Sequence, residues 1–256
     1  MTALGCIALV PGYACAFQPL ITDDTGTQGT GGNQIEVAYN RTVETVAGTK
    51  TVTDEVPLVY TRGISDALDV YVSAPYQKID VPAPSPSARG WGNTALGVKW
   101  RFYENEASKL SFALKPELRL PVSEAREMRG LGTARATYGA GLLATQETTI
   151  GALHANFAVE RVTHADPALD AAERRTLYRA SLAPVWDVTA HWKLALDAGW
   201  VTNPDPGAHR YLGYIEIGTI YAPAKDVEIA LGIVRNFHDG SVSATHATLG
   251  LTWRFR

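Results

Sequence analysis

Cysteine is nearly absent: Cys6 and Cys15 are the only two in 256 residues, and both precede Phe17. A chain processed at that point has no thiol, which excludes disulfides, thiolate nucleophiles and cysteine-bound metals. Long hydrophobic runs are also missing. Beyond the first sixteen residues, no apolar stretch approaches the roughly 18–20 residues a transmembrane helix needs. Neither sign of charge dominates, with 23 basic against 26 acidic residues and a net charge of -3. Bulk electrostatics therefore give no reason to bind nucleic acid or an anionic membrane surface. Enzyme signatures are poor. Gly139-Ala140-Gly141-Leu142-Leu143-Ala144 has G-x-G-x-x-A spacing, but no helix pattern follows it. There is no G-x-S-x-G element. The histidines (His154, His164, His191, His209, His238, His246) lack ligand-like spacing and evident partners, so no metal, no other cofactor and no catalytic residue is expected.

What is present begins with an export-like segment. Met1 to Ala16 is uncharged, has an apolar stretch around Ile7 to Val10, and ends in Ala14-Cys15-Ala16, an A-x-A-like cleavage site. Residues 17–32 are Gly- and Thr-rich and too irregular to span a membrane. From Gln34 onward, period-two alternation recurs, the signature of β-strands. In Leu110 to Leu120, for example, Leu110, Phe112, Leu114, Pro116, Leu118 and Leu120 alternate with Ser111, Ala113, Lys115, Glu117 and Arg119. Strands are expected over 33–43, 52–62, 66–78, 91–104, 109–121, 133–146, 148–161, 174–186, 190–201, 211–222, 226–236 and 245–255. Between them, Asp166 to Arg175 has room for at most a turn or two of helix.

The connections alternate strictly between short and long, with both termini on the short side. Gly63-Ile64-Ser65, Asp187-Val188-Thr189 and Pro223-Ala224-Lys225 are short; Ile79 to Gly90, Val122 to Gly132, Val162 to Glu173 and Thr202 to Arg210 are long. Short periplasmic turns and long extracellular loops are the plan of outer-membrane barrels. Alternation alone does not say which face is lipid. Three features point to an apolar exterior. The polar parity is small (Ala95, Gly97, Ala113, Gly139, Gly141, Ala195, Gly199), which suits a crowded lumen. Aromatics sit at matched ends of the apolar parity, Trp192 with Trp200 and Tyr178 with Trp186. Eight residues at roughly 3.3 Å each, tilted by about 40°, span about 20 Å, near the ~25 Å apolar band between aromatic girdles. Finally, about twelve strands is too many for side chains alone to fill a soluble core. The fold class expected is all-β: a single transmembrane antiparallel up-and-down barrel over 33–256, in the bacterial outer membrane, with outer-membrane lipid as its surroundings. Trp100, Tyr178, Trp186, Trp192, Trp200, Trp253 and Phe255 would form the girdles.

Phe17-Gln18-Pro19-Leu20-Ile21-Thr22-Asp23-Asp24-Thr25-Gly26-Thr27-Gln28-Gly29, followed by Gln34-Ile35-Glu36, resembles the opening of the MetA-pathway of phenol degradation family. The Pro-Leu-x-Thr-Asp-Asp-x-Gly element is fairly specific, and the amphipathic strands extend the likeness over the rest of the chain. The resemblance implies an outer-membrane transporter for aromatic or other poorly soluble compounds. The C-terminus resembles the signal read by the barrel-assembly machinery: Leu249, Leu251, Trp253 and Phe255 alternate toward the end, with Arg256 one residue beyond the usual terminal aromatic.

With the polar parity inward, the lumen charges are uneven. Lys99, Arg101, Lys115, Arg119, Arg135, Arg175 and Arg179 come from the middle strands. Glu36, Glu55, Asp69, Glu216 and Glu228 come from strands that closure brings together. Two outcomes stay open: a basic wall facing an acidic one across a pore, or charges paired with neighbours that close the lumen. Glu117, Glu160, Lys193, Asp197 and Arg254 blur the division. The segment from Gln18 to Gly32 either enters the lumen as a plug, with Asp23 and Asp24 meeting the basic wall or a cation, or lies as a periplasmic tail. Functionally, a passive channel for small solutes leads. The alternatives are a lipid-modifying membrane enzyme, which needs a nucleophile and base at one rim, and a barrel plugged by its own side chains. Ser181 and His191 both take the lumen parity, the wrong side for a lipid substrate.

Overall fold

The computed structural model describes residues 18–46, 48–82, 87–237 and 242–256. The export segment expected over Met1 to Ala16 lies outside the described residues, as does His238. The strands are β1 (Asn33–Val46), β2 (Thr49–Ser65), β3 (Leu68–Asp80), β4 (Ala88–Trp91), β5 (Ala95–Asn105), β6 (Leu110–Arg119), β7 (Thr137–Thr148), β8 (Gly151–Arg161), β9 (Thr176–Asp187), β10 (Trp192–Thr202), β11 (Tyr211–Ala224), β12 (Val227–Phe237) and β13 (Val242–Phe255). Two short helices, α1 (Glu124–Glu127) and α2 (Pro167–Ala172), lie in long loops. In α2, Asp166 caps the first turn by accepting from Ala168 N at 2.8 Å, with Pro167 at the first helical position. That single turn falls inside the stretch singled out by sequence; α1 was not expected.

Among the described residues all pairings are antiparallel and, apart from β3 with β5 and β1 with β13, join sequence neighbours. β1 pairs with β13 from Asn33 opposite Phe255 to Val46 opposite Val242, so the sheet closes on itself. Closure pairs both edges of the first and last strands, as a barrel needs in hydrocarbon, while the short β4 is paired on one side, with β3. Thirteen strands fill twelve positions because β4 and β5 share one. β4 pairs with the upper part of β3, with Tyr76 opposite Trp91; β5 pairs with the lower part, with Val72 opposite Leu96. The single strand expected over 91–104 is thus interrupted at residues 92–94. At the interruption, one side chain crosses to both ends of the loop that follows β6. Asn93 donates from Nδ2 to Leu120 O and Thr133 O, both at 2.8 Å, and accepts from Thr133 N at 2.8 Å. Asn93→Ala should cost about 1–3 kcal/mol, because those groups lose their partner; a lowered urea midpoint of the refolded protein checks this.

The inversion of faces is complete. Ile217 and Leu249 are 62% and 50% exposed on the outside, while the intervening Glu216 and Asp197 are 1% and 0% exposed. Burial here marks the lumen, so the polar parity is the interior one, as expected. Aromatic rings pair at both ends of the wall. Tyr76–Trp91, Phe157–Tyr178 and Trp200–Tyr211 lie toward the long loops. Trp100–Phe102, Trp192–Tyr221 and Trp253–Phe255 lie toward the short turns.

Candidate functional site

The lumen contains Gln18 to Gly32, and the wall is shaped for it. A Cβ on Gly218 would lie 2.6 Å from Pro19 Cγ, one on Gly232 2.8 Å from Pro19 Cβ, and one on Gly250 1.8 Å from Gln18 Oε1. Leu20 belongs to a buried cluster with Ala183, Val185 and Ala195, and Ile21 to one with Val201, Leu212, Tyr214, Val234 and Val242. Gly218, Gly232, Gly250 and Ala195 therefore make space for this segment, whereas Gly97 and Gly199 give room to the wall's own Tyr71 and Tyr214. Gly218→Val should dislodge Pro19 while leaving the outer face unchanged. A cysteine placed at Gln18 would then react several-fold faster with a water-soluble maleimide, in protein that still migrates as a folded barrel.

Carboxylates of the wall hold the segment's backbone. Glu216 Oε2 accepts from Ile21 N at 3.2 Å, and Asp197 Oδ2 from Thr22 N at 2.7 Å. Both oxygens of Asp69 accept from Gln28 N, at 3.1 and 3.0 Å. Thr22 Oγ1 donates to Ser181 Oγ at 2.7 Å. With its amide oriented to satisfy both partners, Asn156 donates to Asp23 O at 2.9 Å and accepts from Asp23 N at 2.8 Å. The segment then meets the barrel's lower rim. Gly31 N donates to Gly63 O at 3.1 Å and Gly63 N to Gly32 O at 2.9 Å. A Cβ on Gly63 would fall 1.8 Å from Gly29 O, so only glycine admits this approach. Asp66, in the short turn after β2, accepts from Thr30 N at 3.0 Å, and that bond holds its carboxyl below the usual range. This anchor is fully formed above the ordinary carboxylate pKa and is lost only as pH falls through the lowered one.

At the centre, the Asp23 carboxylate bridges two lysines. Lys115 Nζ lies 2.6 Å from Oδ2 and Lys99 Nζ 3.0 Å from Oδ1, with Asp24 Oδ1 3.5 Å from Lys99. The other charges pair along the wall: Arg119 with Glu117 and Glu160, at 2.9 and 2.8 Å, and Arg254 with Glu228 at 2.9 Å. Glu55 faces Arg119. Buried Arg179 lies near Asp197 and Glu160. Neighbour pairing and the segment's carboxylates thus occupy part of the space between the basic and the acidic side chains. Between segment and wall remains a cavity of about 260 Å³, lined among others by Asp24, Glu36, Asp69, Lys99, Lys115, Glu228 and Arg254.

Several inferred positions need correction. Arg135 and Arg175 are not in the lumen. Their strands start later than expected, so both lie in long loops, Arg135 bonded to His164 O and Arg175 to Asp170. Arg101 sits at the lower rim, bonded to Asp66 O and Glu104. His191 is exposed in a short turn, 3.0 Å from Ala222 O, whereas His154 is buried inside beside Thr145. His164, which had no evident partner in the sequence, lies between two carboxylates.

A family model described as "Putative MetA-pathway of phenol degradation" matches residues 18–255. No curated protein matches the sequence. Among solved structures, an outer-membrane channel from Pseudomonas putida F1 is 12% identical with a TM-score of 0.76, over 91% of this chain and 98% of that one. The CymD monoaromatic hydrocarbon channel is 9% identical with a TM-score of 0.52, over 89% of each chain. A FadL homologue of Pseudomonas aeruginosa is 8% identical with a TM-score of 0.51, over 91% and 92%.

Proposed function

Because the chain belongs to the MetA-pathway of phenol degradation family, we propose that it is an outer-membrane channel for passive passage of small aromatic solutes. Its N-terminal segment acts as the constriction. The observation that carries this reading is the cavity left between segment and wall, about 260 Å³. An enclosed apolar space of roughly 150 Å³ suffices for benzene, so one ring fits. The charged lining favours a ring carrying a hydroxyl or other polar group over a bare hydrocarbon. The names of two structural neighbours, a monoaromatic hydrocarbon channel and a FadL homologue, agree with this class.

The apolar exterior and the ring pairs at its two ends suit a bilayer core with interfacial girdles. β13 serves as the strand read by the assembly machinery, with Leu249, Leu251 and Trp253 facing out. Cofactor or energy-coupling chemistry has no role in this reading, since diffusion through a lumen requires neither. A lipid-modifying enzyme finds no support in the Ser–His candidates. Ser181 is engaged inside by Thr22, and His191 sits in a short turn. The plugged-barrel reading draws on the same Asp23 bridge and differs in one respect: its segment never yields. Single-channel recording of residues 17–256 in a planar bilayer separates the two. Small openings blocked by phenol support the channel; silence even after removal of residues 18–30 overturns it.

A further inference from the structure

We propose that His164 is a protonation-dependent latch that ties loop 120–136 to loop 162–175 over the outer mouth of the barrel. The inference goes beyond solute passage and needs no assumption about the solute. The His164 ring lies between carboxylates from both loops, Nδ1 3.2 Å from Glu127 Oε1 and Nε2 3.2 Å from Glu173 Oε2. An ionised carboxylate only accepts hydrogen bonds, and a neutral imidazole carries one N–H. Only the imidazolium satisfies both partners, so the observed geometry belongs to the charged form.

Glu127 makes the junction more than a surface ion pair. It is 4% exposed and accepts from the backbone N–H of Ala134 at 2.9 Å in its own loop, and from Ala165 at 3.0 Å and Asp166 at 3.1 Å in the other. The remaining charged groups facing His164 are Asp170, which accepts from its backbone N at 3.1 Å, and Arg135, which donates to its carbonyl at 3.0 Å. Arg175 is paired with Asp170. Arg174 then carries the junction to the next loop by donating to Asn203 O at 2.6 Å. Loss of the His164 proton removes one hydrogen bond and leaves Glu127, Glu173 and Asp170 clustered around a neutral ring. Hydrogen bonding to Glu173, then to Glu127, holds the imidazole above its usual pKa despite partial burial. A raised value means the latch is fully formed below the ordinary histidine pKa and opens as pH rises through the raised one. The loops are tied most tightly in acid and loosen in alkali, where the Glu127 bonds to Ala165 and Asp166 remain.

The test places nitroxide labels at Met128 and Ala171, exposed positions on the two loops, in full-length barrel in lipid nanodiscs. The distance distribution should be narrow at about pH 6 and broaden at about pH 9.5. His164→Gln should give the broad distribution at both pH values, and Glu173→Gln should move the transition to lower pH. A parent distribution that does not change with pH overturns the latch, as does an undiminished pH response in His164→Gln. Should His164→Gln fail to fold, an unmoved midpoint in Glu173→Gln overturns it equally.

Discussion

Leu114→Arg should lose about 2–4 kcal/mol of stability and insert poorly, because it places a guanidinium on the hydrocarbon face near mid-membrane. Leu114 lies on the outer face of β6 between Trp100 and Leu142. No lumen group is within reach from that side, and the bilayer core offers no water to solvate the charge. Folding yield into vesicles and urea unfolding of the inserted fraction measure the loss. A variant that inserts and unfolds like the parent would mean that the outer face does not meet lipid. One residue along the strand, the face reverses. Strand parity alone expects Lys115→Leu to leave insertion intact and change selectivity. The Asp23 ion pair adds a second consequence: the substitution weakens the segment's hold on the wall.

Asp23→Ala should have the largest effect on conduction. It leaves Lys115, 6% exposed, and Lys99 facing each other without the carboxylate that bridges them. Removing one partner of a buried pair costs about 3–5 kcal/mol. Most of that cost is relieved if water enters around the lysines as the segment detaches. The expected result is a several-fold rise in single-channel conductance, approaching that of a protein lacking residues 18–30. Asp23→Glu, which keeps the charge, should remain nearer the parent. Unchanged conductance in both Asp23→Ala and the truncation would show that the segment is not the constriction. Asp24 makes a useful control, since its 3.5 Å approach to Lys99 is the weaker contact. The lumen-lining role of Glu36, Asp69 and Glu228 can be tested in the same recordings, through the ion selectivity of their neutral variants.

The alternation of Leu110 to Leu120 made β6 legible from the chain alone, because side chains of a strand point to opposite faces every second residue. The lengths of the connections set which end faces outward, and the run of small inward residues announced a crowded interior. Those properties are local, and the barrel fold follows from them. What occupies the crowded interior is not local. Asp23 reaches Lys115 across 92 positions of sequence, and Ile21 reaches Glu216 across 195. Only closure and register decide such meetings. The same limit explains the misplaced arginines. Arg135 and Arg175 have the parity of lumen residues, but loop geometry delays the start of their strands until after them. His164 has no partner within a turn of itself: Glu173 meets it when its own loop folds back, and Glu127 only when a separate loop packs beside it. Period and parity can be read from sequence because the backbone alone generates them. Pairing of charges, fill of the lumen and the contacts of the loops belong to tertiary structure, because each depends on which distant strands closure sets side by side.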